Sequence, residues 1–194
     1  MRNWGLLVEG HGEVRALPTL LRRLIPPEQL ADIELMAPLR QPRSAVVLPT
    51  ELEKAVEFLR HKVGANGALL VLLDANGDLP CKLGPELLAR CRAVVSDIPL
   101  SVVLAKCEFE AWFLGAVESL RGVRGINNDA VSPLTPESIR GAKERLSELM
   151  EHGRAYRPTV DQAALAAQFD YDTARTRCPS LDKLLRDVNT LLSA

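Results

Sequence analysis

The sequence predicts an α/β fold, a mostly parallel sheet with flanking helices, on three observations. Short apolar runs alternate with segments of helical period through the first half, in the order βαβαβαβ. The strongest runs are continuous rather than alternating, as strands buried on both faces are. The chain has 194 residues, 47% hydrophobic and 25% charged, enough for one compact domain with a core and unlike a disordered chain.

Leu6-Leu7-Val8, between Gly5 and Gly10, reads as a buried strand. Val14, Leu17, Leu21 and Leu24 follow at helical spacing. Pro18 predicts that this helix either kinks there or begins there, with the proline in its first turn. Ile33 to Ala37 is the second strand, and Pro38 to Pro49, with three prolines and two arginines, reads as a loop. Thr50-Glu51-Leu52-Glu53 predicts a capping box, ahead of a helix whose Leu52, Val56, Leu59 and Val63 share one face. Ala68 to Leu73 is the best central strand, Leu83 to Val95 suits a helix, and Leu100 to Ala105 is another buried strand.

After Ala105 the chain changes character. Glu110 to Leu120 reads as a helix. Ile139, Ala142, Leu146 and Leu149 mark a second, and Leu181, Leu184, Leu185, Val188 and Leu192 a third. The expected organisation is an α/β core over residues 1–107 and a helical extension over 108–194, packed together as one compact unit. No internal repeat or low-complexity tract interrupts it.

Charge and cysteine usage narrow the function classes. The net charge is −1, so any contact with nucleic acid must use a local patch rather than a general basic coat. Cys81, Cys91, Cys107 and Cys178 form no C-x-x-C pair and have no histidine at zinc spacing, which argues against structural zinc. The start of the sequence does not resemble a secretory signal and no apolar run is long enough to span a bilayer. The expectation is a cytoplasmic protein without disulfides and without a membrane partner.

The candidate chemistry lies at the strand ends, where ligands bind in open parallel sheets. The first strand ends in Glu9-Gly10-His11-Gly12-Glu13, the central one in Asp74-Ala75-Asn76-Gly77-Asp78, and the last is followed by Cys107-Glu108-Phe109-Glu110. Hard carboxylate oxygens suit magnesium, which keeps waters that a phosphate can displace. Carboxylates meeting in one crevice repel each other without a cation. The glycines around His11 allow backbone to approach a phosphate. The plainer reading is that Glu13 and Asp74 cap helices and that His11 is an exposed loop residue. Ser44 and Ser180 have no histidine partner in a recognisable motif, and nothing beside Tyr156 or Tyr171 activates a phenol as a nucleophile.

Val8-Glu9-Gly10 with Glu13, and Leu73-Asp74-Ala75-Asn76, resemble the TOPRIM module of topoisomerases, primases and the nucleases of the overcoming-lysogenisation-defect family. Glu108-Phe109-Glu110-Ala111-Trp112-Phe113-Leu114, then Lys143, Tyr156 and Pro179-Ser180-Leu181, resemble a bacterial TOPRIM-like family known as domain of unknown function 4276, over nearly the whole chain. The resemblance implies a TOPRIM-like, Rossmann-like sheet and a magnesium or manganese ion. It implies Glu9 as metal ligand or general acid–base and Glu13 as the second acid. Asp74, Glu108 and Glu110 become metal ligands, and Gly10, His11 and Gly12 contact the bound group. Lys143 supplies positive charge to a transition state, against the alternative of a lysine on a solvated helix face. Asn76 departs from the family's second aspartate; its amide oxygen is a weaker ligand, and Asp78 is the candidate to compensate.

Two functions follow from different classes. One is metal-dependent phosphodiester hydrolysis of nucleic acid; topoisomerase and primase activities are disfavoured by the chain's size. The other is a catalytically degenerate module that binds or regulates a partner, such as an ATPase encoded nearby. Either fits a bacterial defence or stress system.

Overall fold

A computed structural model describes residues 1–194. The first half runs β1 (Arg2–Val8), α1 (Glu13–Leu24), α2 (Pro27–Leu30), β2 (Ile33–Leu35), β3 (Leu39–Arg40), α3 (Arg43–Val46), α4 (Glu51–Val63), β4 (Ala68–Asp74), α5 (Pro80–Val94) and β5 (Leu100–Ala105). The second half is helical: α6 (Glu110–Leu114), α7 (Ala142–Glu148), α8 (Ala163–Ala166), α9 (Tyr171–Arg175) and α10 (Pro179–Ser193). Three short 3₁₀ turns and a π-helical turn, Pro158–Gln162, fill the spaces between them.

Every strand pairing is parallel, in the order β2-β1-β4-β5. The edge beside β1 is shared: β2 pairs with Arg2–Trp4 and β3 with Leu7–Val8. The chain therefore leaves β1 toward one edge and returns as β4 on its other side. That reversal opens a crevice at the carboxyl ends of β1 and β4, the usual ligand position in such sheets. Glu9 and Asp74 flank it.

The alternation of side chains along the strands divides the core. Leu70 and Leu72 of β4, with Leu6 and Val8 of β1, face α1 and the helical second half in a cluster of 37 buried residues. Leu69, Val71 and Leu73 face α4 and α5 in a cluster of 18. All seven residues of β4 are buried, which is why the six before Asp74 are an uninterrupted apolar run.

The expected α/β class is observed, with local departures. Helix α1 neither starts nor breaks at Pro18; it runs through it from Glu13. The proline has no N–H to give to the Val14 carbonyl one turn earlier, and the helix continues past it to Leu24. The Thr50 capping box does not form: Thr50 sits at φ 73 with no side-chain cap bond, and Glu53 is claimed by Arg90 at 2.6 and 2.8 Å. The expected loop Pro38–Pro49 contains β3 and α3, because β1 has an unpaired stretch beyond the short β2. The Glu110–Leu120 helix breaks after Leu114, and a 3₁₀ turn at Val117–Leu120 follows Gly115.

Candidate functional site

The loop after β1 folds around one of its own carboxylates. Glu13 opens α1 and is buried, and its Oε2 accepts the backbone N–H groups of Glu9 and Gly10, both at 3.1 Å. Gly10 gives that carboxylate room, since a Cβ there would lie 2.8 Å from Glu13 Oε1. Burial pushes the Glu13 carboxyl up to about 7; the Gly10 N–H opposes this and the nearby Glu110 adds to it.

Asp74 ends β4 and lies beside Glu9. Its backbone N–H donates to Glu9 Oε2 at 3.3 Å, while its own Oδ1 accepts the Phe109 N–H at 2.8 Å. Burial raises the Asp74 carboxyl well above the usual aspartate range, and Glu13 and Glu110 raise it further. Burial also raises Glu9, against the attraction of Arg43. The loops after β4 and β5 are stitched by Ala75 N–H to the Ala105 carbonyl and Asn76 N–H to the Cys107 carbonyl, both at 2.8 Å. Asn76 and Cys107 take left-handed backbones, φ 52 and 51.

Glu110 is fully buried at the start of α6. Its Oε1 accepts Tyr156 OH at 2.9 Å and Gln162 Nε2 at 3.2 Å. Its Oε2 has no hydrogen bond, although Lys143 Nζ stands 3.3 Å away in a geometry that satisfies charge but not direction. Burial raises the Glu110 carboxyl, with Lys143 opposing. Lys143, in the first turn of α7, also lies 2.8 Å from Glu108 Oε1 and 3.7 Å from Asp74 Oδ2. Burial alone would lower its ammonium, but Glu110, Asp74 and Glu108 together hold it above the ordinary lysine value. The solvated-face reading of Lys143 is thus corrected: it is the counter-ion of the acidic cluster.

These groups line a cleft of about 380 Å³ whose wall is made of charged and polar residues, glycines and two prolines, Pro42 and Pro158. Glu9, Gly10, His11, Gly12, Glu13, Asp74, Glu110 and Lys143 meet there, joined by Arg43, Thr159 and Gln162, which the sequence did not single out. Glu108 and Asn76 instead line an adjoining cleft of about 190 Å³, with Lys143 linking the two through Glu108. Asp78 is exposed and turned outward to Arg43, whose other nitrogen donates to the Asp74 carbonyl at 2.7 Å. Asp78, paired with Arg43, lines neither of the two clefts. A slightly larger cleft, about 420 Å³, lies at the opposite end of the sheet by Pro99–Ser101 and holds none of these acids.

In the cleft wall four carboxylates, Glu9, Glu13, Asp74 and Glu110, face two permanent cations, Arg43 and Lys143. No three acids or histidines stand as a ready-made ligand cage; the Lys143 ammonium stands among them instead. The donor set is nonetheless all hard oxygen, and Glu110 Oε2 is buried and unbonded, so the residues fit one hard divalent cation. Tyr156 is no nucleophile: burial, and then Glu110, push its phenol far above its usual value.

Gln162 and Arg43 escaped sequence reasoning because neither sits at a strand end or in an apolar period. The available signal was Pro158 four residues before Gln162, a proline at a helical first turn. Ser180 was dismissed as a nucleophile, yet it is a structural hub. Its Oγ accepts Trp112 Nε1–H at 2.8 Å and Lys106 N–H at 3.1 Å and donates to buried Glu137.

Comparison with known proteins gives three findings. The family described as Domain of unknown function (DUF4276) matches residues 8–189. Among solved structures, the C-terminal region of the Xanthomonas campestris pv. campestris OLD protein, phased with iodine, is similar at 17% identity. That match covers 98% of this chain and 95% of the other, with a TM-score of 0.48. Comparison with curated proteins gives no match.

Proposed function

The chain belongs to the family described as Domain of unknown function (DUF4276), and on that footing we propose that it hydrolyses phosphodiester bonds of nucleic acid with a divalent metal ion. The observation that carries this reading is the crowding of acids in the cleft: four carboxyl groups beside two cations, three of them buried and held above their ordinary values by burial. Glu9, Asp74 and Glu110 would hold the ion. Bound magnesium or manganese would polarise a phosphate and lower the pKa of an attacking water.

The chain's own residues would do the rest. Glu13, with its carboxyl near 7, can take and return a proton near neutral pH. Lys143 and Arg43 would attract the phosphate and offset charge developing on it. The concentration of charged and hydrogen-bonding side chains in the wall, with no aliphatic or aromatic one, suits a polar, charged ligand. With a net charge of −1, the protein has little general pull on nucleic acid, so a partner with a basic surface would raise the local substrate concentration.

A second reading has its own support. Lys143 already neutralises part of the cluster, and Asn76, in place of a carboxylate, lies exposed at the rim. A module that only binds a partner would need no more. The discriminating assay is incubation with single- and double-stranded DNA and RNA, with manganese at low salt, beside Glu9→Gln. Metal-dependent cutting by the wild type alone supports hydrolysis. Inactivity of both on every substrate, with and without candidate partners, would leave the binding module.

A further inference from the structure

Gln162 ends the π-helical turn Pro158–Gln162 and is 1% exposed. Such turns are rare and are frequently found at functional sites. Its Nε2 and the Tyr156 hydroxyl both donate to Glu110 Oε1, at 3.2 and 2.9 Å. Two donors on one oxygen fix the carboxylate plane and leave Glu110 Oε2 buried, without a hydrogen bond, 3.3 Å from the Lys143 ammonium at the cleft that Glu110 lines. With Glu110 ionised, the opposite amide orientation would aim the Gln162 carbonyl at a carboxylate oxygen, so the donor faces Glu110 and the Gln162 carbonyl oxygen is left buried without a partner.

Gly12 makes this reach possible. Its backbone is helical, φ −68, which any residue adopts, so conformation does not require a glycine. Space does: a Cβ at position 12 would lie 2.0 Å from Gln162 Oε1 and 2.8 Å from the Pro158 carbonyl. The glycine expected to admit a phosphate admits a glutamine amide.

We propose that Gln162 is a positioning residue that, with Tyr156, locks Glu110 so that Oε2 is presented to a bound divalent cation. This rests on the metal-dependent reading above. Partners that orient a ligating carboxylate commonly contribute about 10–100-fold in metal affinity when removed. The test is manganese titration, by calorimetry, of the full chain as wild type, Gln162→Ala, Gln162→Met and Tyr156→Phe, each checked by thermal unfolding. Methionine keeps the volume of glutamine and removes the donor. Lock and packing are thereby separated: about a tenfold or greater loss of affinity in all three variants, with the Met variant still folded, supports the lock. Wild-type affinity in Gln162→Met, whatever Gln162→Ala does, overturns it. If the wild type itself binds no manganese at millimolar concentration, the metal reading falls and this inference with it. That outcome is distinct from binding which the variants leave unchanged.

Discussion

Lys143→Met tests the electrostatics of the cleft most directly. The ammonium lies 2.8, 3.3 and 3.7 Å from Glu108, Glu110 and Asp74. At an effective dielectric of about 20 each pair is worth roughly 4–6 kcal/mol before desolvation is subtracted. What matters is the residue left behind. Glu110 and Asp74 are buried and lose their common counter-charge, and breaking a buried pair in this way costs about 3–5 kcal/mol. For a chain of this size 1 kcal/mol moves the midpoint by about 2–4 °C, so a fall of about 6–20 °C is expected at pH 8.

The sign of the pH dependence follows from the shifts. Lys143 is raised above its ordinary value, so its contribution persists through neutral pH and is lost only in strong alkali. The carboxylates are raised as well, and without the ammonium they rise further; their protonation relieves the repulsion in acid. The variant should therefore approach wild-type stability near pH 5 and fall away toward pH 8. Saturating manganese should recover most of the loss at pH 8, since the cation replaces the ammonium among the same oxygens, and its affinity should exceed that of the wild type. The assay is thermal unfolding at both pH values with and without manganese, joined to calorimetry. A loss of equal size at both pH values, or none at pH 8, would refute the reasoning, because it would mean the ammonium does not compensate buried charge.

Two further outcomes are expected. Glu13 has a folded-state carboxyl raised from 4.5 to about 7, so its contribution is fully present below about 4.5 and is lost as pH rises through 7. Glu13→Gln should remove up to about 3 kcal/mol of that penalty at pH 8 and flatten stability between pH 5 and 8 in urea unfolding; a variant with the wild-type slope contradicts the shift. Ser180→Ala should cost about 2–4 kcal/mol by leaving Trp112 Nε1 and the Lys106 N–H without their shared acceptor, while Glu137 keeps the backbone N–H of residue 180; a loss below about 1 kcal/mol would show that water replaces the hydroxyl.

How much of this was legible in the sequence depends on the range of the determining force. The strands were legible because burial on both faces writes a continuous apolar run, as in Ala68–Leu73, and the acids stood out because each follows such a run. Their meeting in one cleft was not legible, since it depends on β1 and β4 being neighbours across a reversal in strand order. The pair β3 and α3 was hidden behind three prolines, although Pro42 in fact precedes α3 and lets Arg43 reach Asp78 and the Asp74 carbonyl. Thr50 misled because a local capping pattern lost to a tertiary ion pair between Glu53 and Arg90. Pro158 marks the turn that ends in Gln162, but not its role, which depends on two distant residues, Gly12 and Glu110, that the fold alone brings to it.

The choice between capping acids and functional acids dissolves once oxygens are counted rather than residues. Glu9 gives Oε2 to the Asp74 N–H, and Asp74 gives Oδ1 to Phe109. Glu13 gives Oε2 to Glu9 and Gly10, and Glu110 gives Oε1 to Tyr156 and Gln162. In each case one oxygen is bound into the fold, with the backbone in three cases and with side chains in the fourth. Two of the remaining oxygens, Asp74 Oδ2 and Glu110 Oε2, face the Lys143 ammonium. A purely structural cap has no reason to be repeated four times around one cleft, because each further buried carboxylate raises the pKa of the others and lowers stability above neutral pH. A purely functional cluster would lack the backbone bonds that keep the acids oriented without a bound cation. The fold holds each carboxylate by one oxygen, and repulsion among the other oxygens creates a demand for positive charge that Lys143 meets in part.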